Sequence, residues 1–443
     1  MLLKMSVETR MLFDENVVTE VSKKQQEPEW MLQSRLEALR AAARLPLPQL
    51  QKTNIDRWNF TDFNPYKDEA PIKELSELPE NIARFLVEQE NSGLFIQKNS
   101  SVIFQNLSAE LADKGIIFTD LATAARDHEE LVKVYFMNEG VKRDEHQLTA
   151  LHAALFSGGI FLYIPRGVEV TVPLQAMFWL SGGKNGMLPH VLLVAEDHSR
   201  VDFVANFVSD PDDGGAVSNS VIEAFVGANA DVRIATVNTL GESVVDVIYR
   251  RSVVDRDGRL EWIVADLSDG RLISDNTSAL RGEGGSVNVK AVVLGTGEMR
   301  GNVTSYIRHL ARNTASEINA RSVMKDQASS ILNSITKIEK GASKSDGQQS
   351  GKVLMLGEKA RGDANPILLI DENDVAAGHA ASVGRIDPLQ LYYLMSRGIS
   401  RTEAERLIIY GFLDTVLSQI PSEALRKSIH RVIERKFANE KRS

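Results

Sequence analysis

The spacing of hydrophobic and polar positions changes character twice along this chain. From residue 1 to about 45 apolar side chains recur at helical spacing. Trp30, Leu32, Leu36, Leu39 and Ala42 fall on one face, and Pro46 and Pro48 end the pattern. The aromatic loop 57–63 reads as a packing anchor. A short helix is predicted over 81–89, strands over 94–97 and 101–104, and one helix over 120–136. Residues 1–150 therefore read as an N-terminal α-rich domain.

From 151 to 384 short β-rich runs replace the helical pattern: 160–164, 191–194, 201–204, 221–226, 232–234, 260–264, 287–293 and 353–356. Polar or glycine-rich turns precede many of them. Four strand starts, Val201, Val232, Leu260 and Val287, follow at steps of 31, 28 and 27 residues. A loose period with strands and no helices predicts a solenoid of β-helix type, with a β-sandwich as the alternative.

The last apolar run, 365–370, gives way to a turn of small residues holding a single histidine, His379. Residues 385–443 then read as a helical domain. Asp387 caps a helix with Pro388 in its first turn and Gly398 past its end. Ser400 and Glu403 form a capping-box pattern for a second helix. Pro421 and Ser422 start a third, with Leu425, Ile429, Val432 and Ile433 as its core positions. Three helices of this size need another surface to cover their apolar faces.

The 443 residues carry a formal net charge of −9, which argues against a nucleic-acid-binding body. A local excess of four positive charges after residue 421 reads as a solvated helix face. There is no cysteine, so disulfides, thiol catalysis and thiolate metal sites are excluded. Neither a signal-peptide core nor an apolar run of membrane-spanning length is found, and the expectation is a cytoplasmic protein that binds no membrane.

Gly295-Thr296-Gly297 lacks the third glycine and the helix of a dinucleotide loop, and 182–185 lacks the pattern of a phosphate loop, so no ATP is expected on this chain. His128, His146 and His152 have no metal-ligand spacing and take structural roles. Asp255, Asp257, Asp266, Asp269 and Asp275 read as turn residues. His379 has two readings. It is a turn residue hydrogen-bonded to backbone, or an imidazole that its neighbours Ala376, Ala377, Gly378, Ala380 and Ala381 leave free to meet another surface.

Residues 361–366, 374–384, 391–398 and 405–412, with 120–126 and 148–154, resemble the SufB/SufD family of iron–sulfur cluster assembly scaffolds, of Gram-positive type. The resemblance covers nearly the whole chain. It implies a mainly β fold, a right-handed parallel β-helix core (151–384) between N-terminal and C-terminal helical regions. It implies a non-catalytic subunit that pairs with SufB through the β-helices, and docks the SufC ATPase through the C-terminal helices. Leu391, Tyr392, Leu407, Ile408 and Phe412 are the docking candidates. SufB-type chains use cysteine thiolates, and this chain has none, which turns the resemblance toward the SufD branch. Some members carry a cysteine where Ala377 stands here. His379 then matches the family's interface histidine, a candidate ligand for iron or for a transient iron–sulfur cluster shared with SufB. Asp371, Glu372 and Asp374 are its candidate support. The alternatives are a SufB-like homodimeric scaffold and a β-helix polysaccharide lyase.

Overall fold

The computed structural model describes residues 13–86, 92–210, 214–418 and 423–438. Residues 1–12, the end of the helix expected over 81–89, the helix start expected at Pro421 and Ser422, and the side chain of Leu425 lie outside that description.

The N-terminal helical pattern is a hairpin rather than one helix. The first helix, α1 (Glu15–Lys24), is capped by the Asp14 carboxylate, which accepts from the Val17 N–H at 3.0 Å. Gln26, in the left-handed region at φ 54°, and extended Pro28 turn the chain into α2 (Glu29–Ala42). The aromatic loop packs as expected, with Phe63 against Phe13 at a ring separation of 5.1 Å. Next come α3 (Glu80–Ala83), the antiparallel pair β1 (Gly93–Lys98) and β2 (Ser101–Leu107), α4 (Ala109–Asp113) and β3 (Ile117–Asp120). The helix expected over 120–136 is broken at His128, whose φ of −132° and ψ of 40° are not helical. It becomes α5 (Leu121–Asp127) and α6 (Glu129–Tyr135), followed by α7 (Gln147–Leu155).

The body then winds. Its first strands are β4 (Gly159–Ile164), β5 (Leu174–Leu180), β6 (Gly186–Met187), β7 (His190–Ala195), β8 (Arg200–Ser209) and β9 (Val217–Val226). They continue as β10 (Asp231–Thr239), β11 (Val245–Val254), β12 (Arg259–Asp266), β13 (Arg271–Leu280), β14 (Ser286–Gly295) and β15 (Arg300–His309). The last are β16 (Ala315–Met324), β17 (Ser329–Ile338), β18 (Asp346–Met355), β19 (Arg361–Ile370) and β20 (Ala376–Arg385). From β7 onward successive strands alternate between two walls. One wall runs β5-β8-β10-β12-β14-β16-β18-β20 and the other β4-β7-β9-β11-β13-β15-β17-β19. All these neighbours pair in parallel, which an ordinary antiparallel sandwich would not do. Strand content of 41% against 24% helix and a core of about 8 turns make the fold a mainly β solenoid. β1 extends the first wall by pairing in parallel with β5, and β3 closes the second by pairing antiparallel with β4.

The period in the sequence has a direct structural meaning. Val201, Val232, Leu260 and Val287 are register partners on β8, β10, β12 and β14. Each step is one full coil of two strands.

Alternation along the strands builds three apolar layers. Phe203, Ile234, Trp262 and Val289 fill the space between the walls. On the outer face of the second wall, Leu148 and Leu151 of α7 belong to the same buried cluster as Leu192, Val221 and Val247. On the outer face of the first wall lie α9 (Arg401–Leu417) and α10 (Glu423–Ala438), after α8 (Pro388–Ser396). Ile409, Leu413, Val416, Ile429 and Ile433 share a buried cluster there with Val292, Leu294 and Val323. Each fully buried aliphatic contributes about 1.5–3 kcal/mol, so this wall holds the C-terminal helices firmly. The caps at Asp387 and Ser400 form as expected, accepting from the Leu389 and Glu403 N–H groups.

Candidate functional site

The two ends of the solenoid are unlike. At the early end an antiparallel strand borders each wall, β2 beside β1 and β3 beside β4. At the late end the walls stop at β19 and β20, each paired on one side only among the described residues. The side chains of this last coil are half-buried or exposed, and Leu369 and Ile370 on β19 and Val383 on β20 are open. Long parallel edge strands with free backbone groups and apolar side chains are templates for further strand pairing.

His379 stands on this end. It does not sit in a turn, as the small residues suggested, but on β20, opposite Gln349 of β18. The turn is the preceding stretch, 371–375. Alanine and glycine here allow an extended strand, because β20 repeats the register of β18 one coil later. The same register row continues through Ile318, Val289 and Trp262, all buried between the walls. His379 is therefore the last member of a lumen-facing row, and it is exposed because no coil follows it.

The three nearby acids do not join it. Glu372 accepts from the N–H groups of Gly341 at 2.9 Å and Asn373 at 2.8 Å, and these hydrogen bonds hold its carboxyl below the usual range. Asp371 faces Lys337 at 3.7 Å, and the Asp374 carbonyl accepts from the Lys344 N–H at 2.5 Å. Asp374 lies in the turn before β20, and His379 is three strand steps, about 10 Å, beyond the start of that strand at Ala376. Among the described residues no group of three or more His, Cys, Asp or Glu side chains is placed to hold a metal ion. His379 alone offers one neutral nitrogen ligand, so an ion at this end needs its other ligands from elsewhere.

A second exposed surface lies on α8, which buries none of its residues. Tyr392 is 68% exposed, and Leu389 and Tyr393 beside it are also open. Leu391 is half-buried. On α9 Leu407 is exposed, whereas Ile408 and Phe412 are half-buried against the cluster on the first wall. Sequence reading had passed over Leu389 and Tyr393 as a docking surface, although Leu389 stands at i,i+3 from Tyr392 and i,i+4 from Tyr393. It also passed over the lumen-facing polar residues Asp246 and Arg250. Asp266, read as a turn residue, lies on β12 and is fully buried.

His146 and His152, two of the three histidines read as structural, make hydrogen bonds within the chain. His146 caps α7, its Nδ1 accepting from the Thr149 N–H at 3.2 Å. His152 is fully buried, with Nδ1 at 2.8 Å from the Asn219 carbonyl and Nε2 at 3.1 Å from Nδ1 of His190. His190 Nε2 is 2.9 Å from Oε2 of Glu223, whose two oxygens accept from the Met137 and Val141 N–H groups, each at 2.8 Å. Burial raises the Glu223 carboxyl to about 7 and lowers His190 to about 3.

Two family models together span nearly all of this chain. The SufBD core domain of the SUF system for FeS cluster assembly matches residues 178–412, and the SufBD protein N-terminal region matches 10–176. The iron–sulfur cluster assembly protein SufD of Bacillus subtilis (strain 168) is 48% identical over 435 residues, 98% of this chain and all of that protein. A SufBD-family iron–sulfur cluster assembly protein of Staphylococcus haemolyticus (strain JCSC1435) is 31% identical, and one of Staphylococcus aureus (strain USA300) is 30% identical. Each of these two matches covers 92% of this chain and 90% of the relative.

Proposed function

The chain belongs to the SufBD family of the SUF iron–sulfur cluster assembly system, and from that premise we propose that it is the non-catalytic, SufD-type scaffold of the assembly complex. It pairs with SufB through the open end of its solenoid and places His379 at the junction. The carrying observation is the last coil. Two parallel edge strands, exposed apolar side chains and a lumen-facing histidine occupy the same end. A second solenoid continuing the walls would satisfy the free backbone groups and cover Leu369, Ile370 and Val383.

The cargo in this reading is a nascent iron–sulfur cluster. His379 supplies one imidazole nitrogen, and a SufB thiolate supplies what this cysteine-free chain cannot. The SufC ATPase docks on the exposed face of α8 and the neighbouring part of α9, through Leu391, Tyr392 and Leu407. Because α9 and α10 are packed on the first wall, a pull on them is transmitted to the strands that end at β20. No helix among the described residues is long and apolar enough to cross a membrane.

His379→Ala tests the reading. The side chain is exposed and removes no core packing, so folding and partner binding are expected to stay within experimental error. Cluster formed on the complex, read from its visible absorbance and iron content, is expected to fall at least about tenfold, the loss of roughly 1.4 kcal/mol of ligation. Unchanged cluster formation would remove the histidine from the mechanism.

A further inference from the structure

The space between the walls is apolar around β8, and in the later coils it carries buried polar side chains among its apolar ones. Around β8 it is filled by Phe203, Ala205 and Phe207. From β9 onward buried amide, charged and hydroxylated side chains stand there among apolar ones such as Val289, Ile307 and Ile318. On the second wall Arg250, Asn276, Ser305 and Ser334 are consecutive register partners, one per coil. On the first wall Asn238 and Asp266 are partners. That wall also carries a row of small side chains, Ala291, Ala320, Gly351 and Ala381, which leaves room beside the polar row.

These groups are only half satisfied. Arg250 reaches Asp266 at 3.3 Å and Ser274 Oγ at 2.8 Å. Asp246 Oδ2 accepts from Asn238 at 3.2 Å and Ser268 at 3.4 Å, with Ser218 beside it. Yet Asp246 Oδ1, Asp266 Oδ2, Arg250 Nε, Asn238 Oδ1 and both polar atoms of the Asn276 amide have no hydrogen-bond partner. Toward the open end the same holds for Ser322 Oγ, Ser330 Oγ and Gln349 Oε1. Gln349 bridges the walls just inside His379, donating to Thr336 Oγ1 at 2.7 Å and the Ile367 carbonyl at 3.1 Å. Unpaired buried polar atoms are rare in folded proteins, and a file of them along one axis calls for ordered water.

We propose that the later coils of the solenoid enclose a water-filled passage, running from the Asp246–Arg250–Asp266 cluster to the open end and carrying water and protons to the face on which His379 stands. Water there donates to the free carboxylate and amide oxygens and accepts from Arg250 Nε. A proton leaves the Asp246 carboxyl for the adjacent water, and the carboxylate that remains keeps its bonds from Asn238 and Ser268, with Arg250 as the counter-charge and Asp266 as a like charge that favours reprotonation. Protons then hop along the hydroxyl-lined file without any redox partner. Burial, and then the Asp266 charge, raise the Asp246 carboxyl to about 7, where it can give and take a proton.

The indole proton of Trp262 reports on this space. Trp262 is fully buried between the walls, and its Nε1–H points to Ser252 Oγ at 3.4 Å. The full chain labelled at its four tryptophans gives four indole signals, followed by hydrogen exchange into heavy water. The Trp262 indole is expected to exchange at least tenfold faster than the most protected backbone amides, and the paired substitution Ser305→Val with Ser334→Val is expected to slow it at least tenfold. Exchange of Trp262 only at the rate of those amides, in the wild type and the variant alike, would overturn the passage. If the paired variant does not fold, a high-resolution crystal structure of the wild type decides: ordered waters on Asn276 and Asp266 Oδ2 support the passage, and a dry interior overturns it. The test involves neither partner nor cluster, so its outcome is independent of the role of His379.

Discussion

Glu223→Ala is expected to lower the free energy of unfolding by about 3–5 kcal/mol, the usual result of removing one side of a fully buried polar network. Glu223 holds the loop after α6 through the Met137 and Val141 N–H groups and holds β7 through His190. Alanine leaves two backbone donors and an imidazole buried without acceptors. The geometry fixes how many protons the network binds. If Glu223 is protonated it donates to His190 Nε2, His190 Nδ1–H donates to His152 Nε2, and His152 Nδ1–H donates to the Asn219 carbonyl. If Glu223 is ionised, the same contacts require one of the two histidines, His152 or His190, to be an imidazolium. Both arrangements carry one proton more than a free carboxylate with two neutral histidines. Burial disfavours charge, so the neutral chain is the one the fold holds.

That proton makes stability depend on pH. The folded Glu223 carboxyl sits at about 7, above its ordinary 4.5, so its contribution is fully present below pH 4.5 and is lost as pH rises toward 7. His190 acts in the opposite sense: lowered to about 3, it contributes above pH 6.5 and loses that contribution as pH falls. Glu223→Gln retains the histidines and removes the carboxyl. The difference in unfolding free energy, wild type minus Glu223→Gln, is expected to fall by about 1.4 kcal/mol per pH unit between pH 5 and 7 and to level off above. Urea titrations at several pH values measure it, and a flat difference would contradict the shared proton.

Ala381→Pro is expected to leave the chain folded and to weaken its pairing with SufB at least about tenfold, as if one or more strand hydrogen bonds worth roughly 1 kcal/mol each were removed and a ring set against the partner. The Ala376 N–H bonds inward, to the Ser345 carbonyl at the entrance of β18. Along a parallel strand the direction alternates, so the N–H of Ala381 points outward, to the free edge. Ala380→Pro is the control: it removes an inward N–H and should destabilise the chain itself. Equal partner affinity for wild type and Ala381→Pro, by titration calorimetry, would place the partner elsewhere.

The fold was legible wherever one coil's apolar face repeated itself. Val201, Val232, Leu260 and Val287 disclosed the coil length, and extending that step past Asp346 reaches Ala376, the start of β20. Several strands overlooked have a polar lumen side, whereas β5, also overlooked, is apolar there with Leu174, Ala176 and Phe178. In β13, Asp275, Asn276, Thr277 and Ser278 look like a turn, yet Asn276 and Ser278 face the interior and Asp275 pairs with Arg251 at 2.8 Å. His379 was misplaced for a related reason, since its alanine and glycine neighbours carry no strand signal of their own. Their strand conformation comes from pairing with β18, a tertiary effect that local propensity does not contain. His128 likewise broke a helix that its apolar spacing had joined. The candidacy of His379 as a ligand came from the resemblance to the SufB/SufD family, since its spacing alone fitted a turn residue as well.

The central claim is that the open coil meets SufB with His379 at the seam, and the absence of cysteine gives it a direct test. His379→Cys creates a single thiol in the chain. In the assembled complex, mild oxidation is expected to link it by a disulfide to a cysteine of SufB, seen as one reducible band on a denaturing gel and mapped by mass spectrometry. His198→Cys, exposed in a turn far from the open end, should give none. A complex that forms normally but links through neither position would contradict the seam.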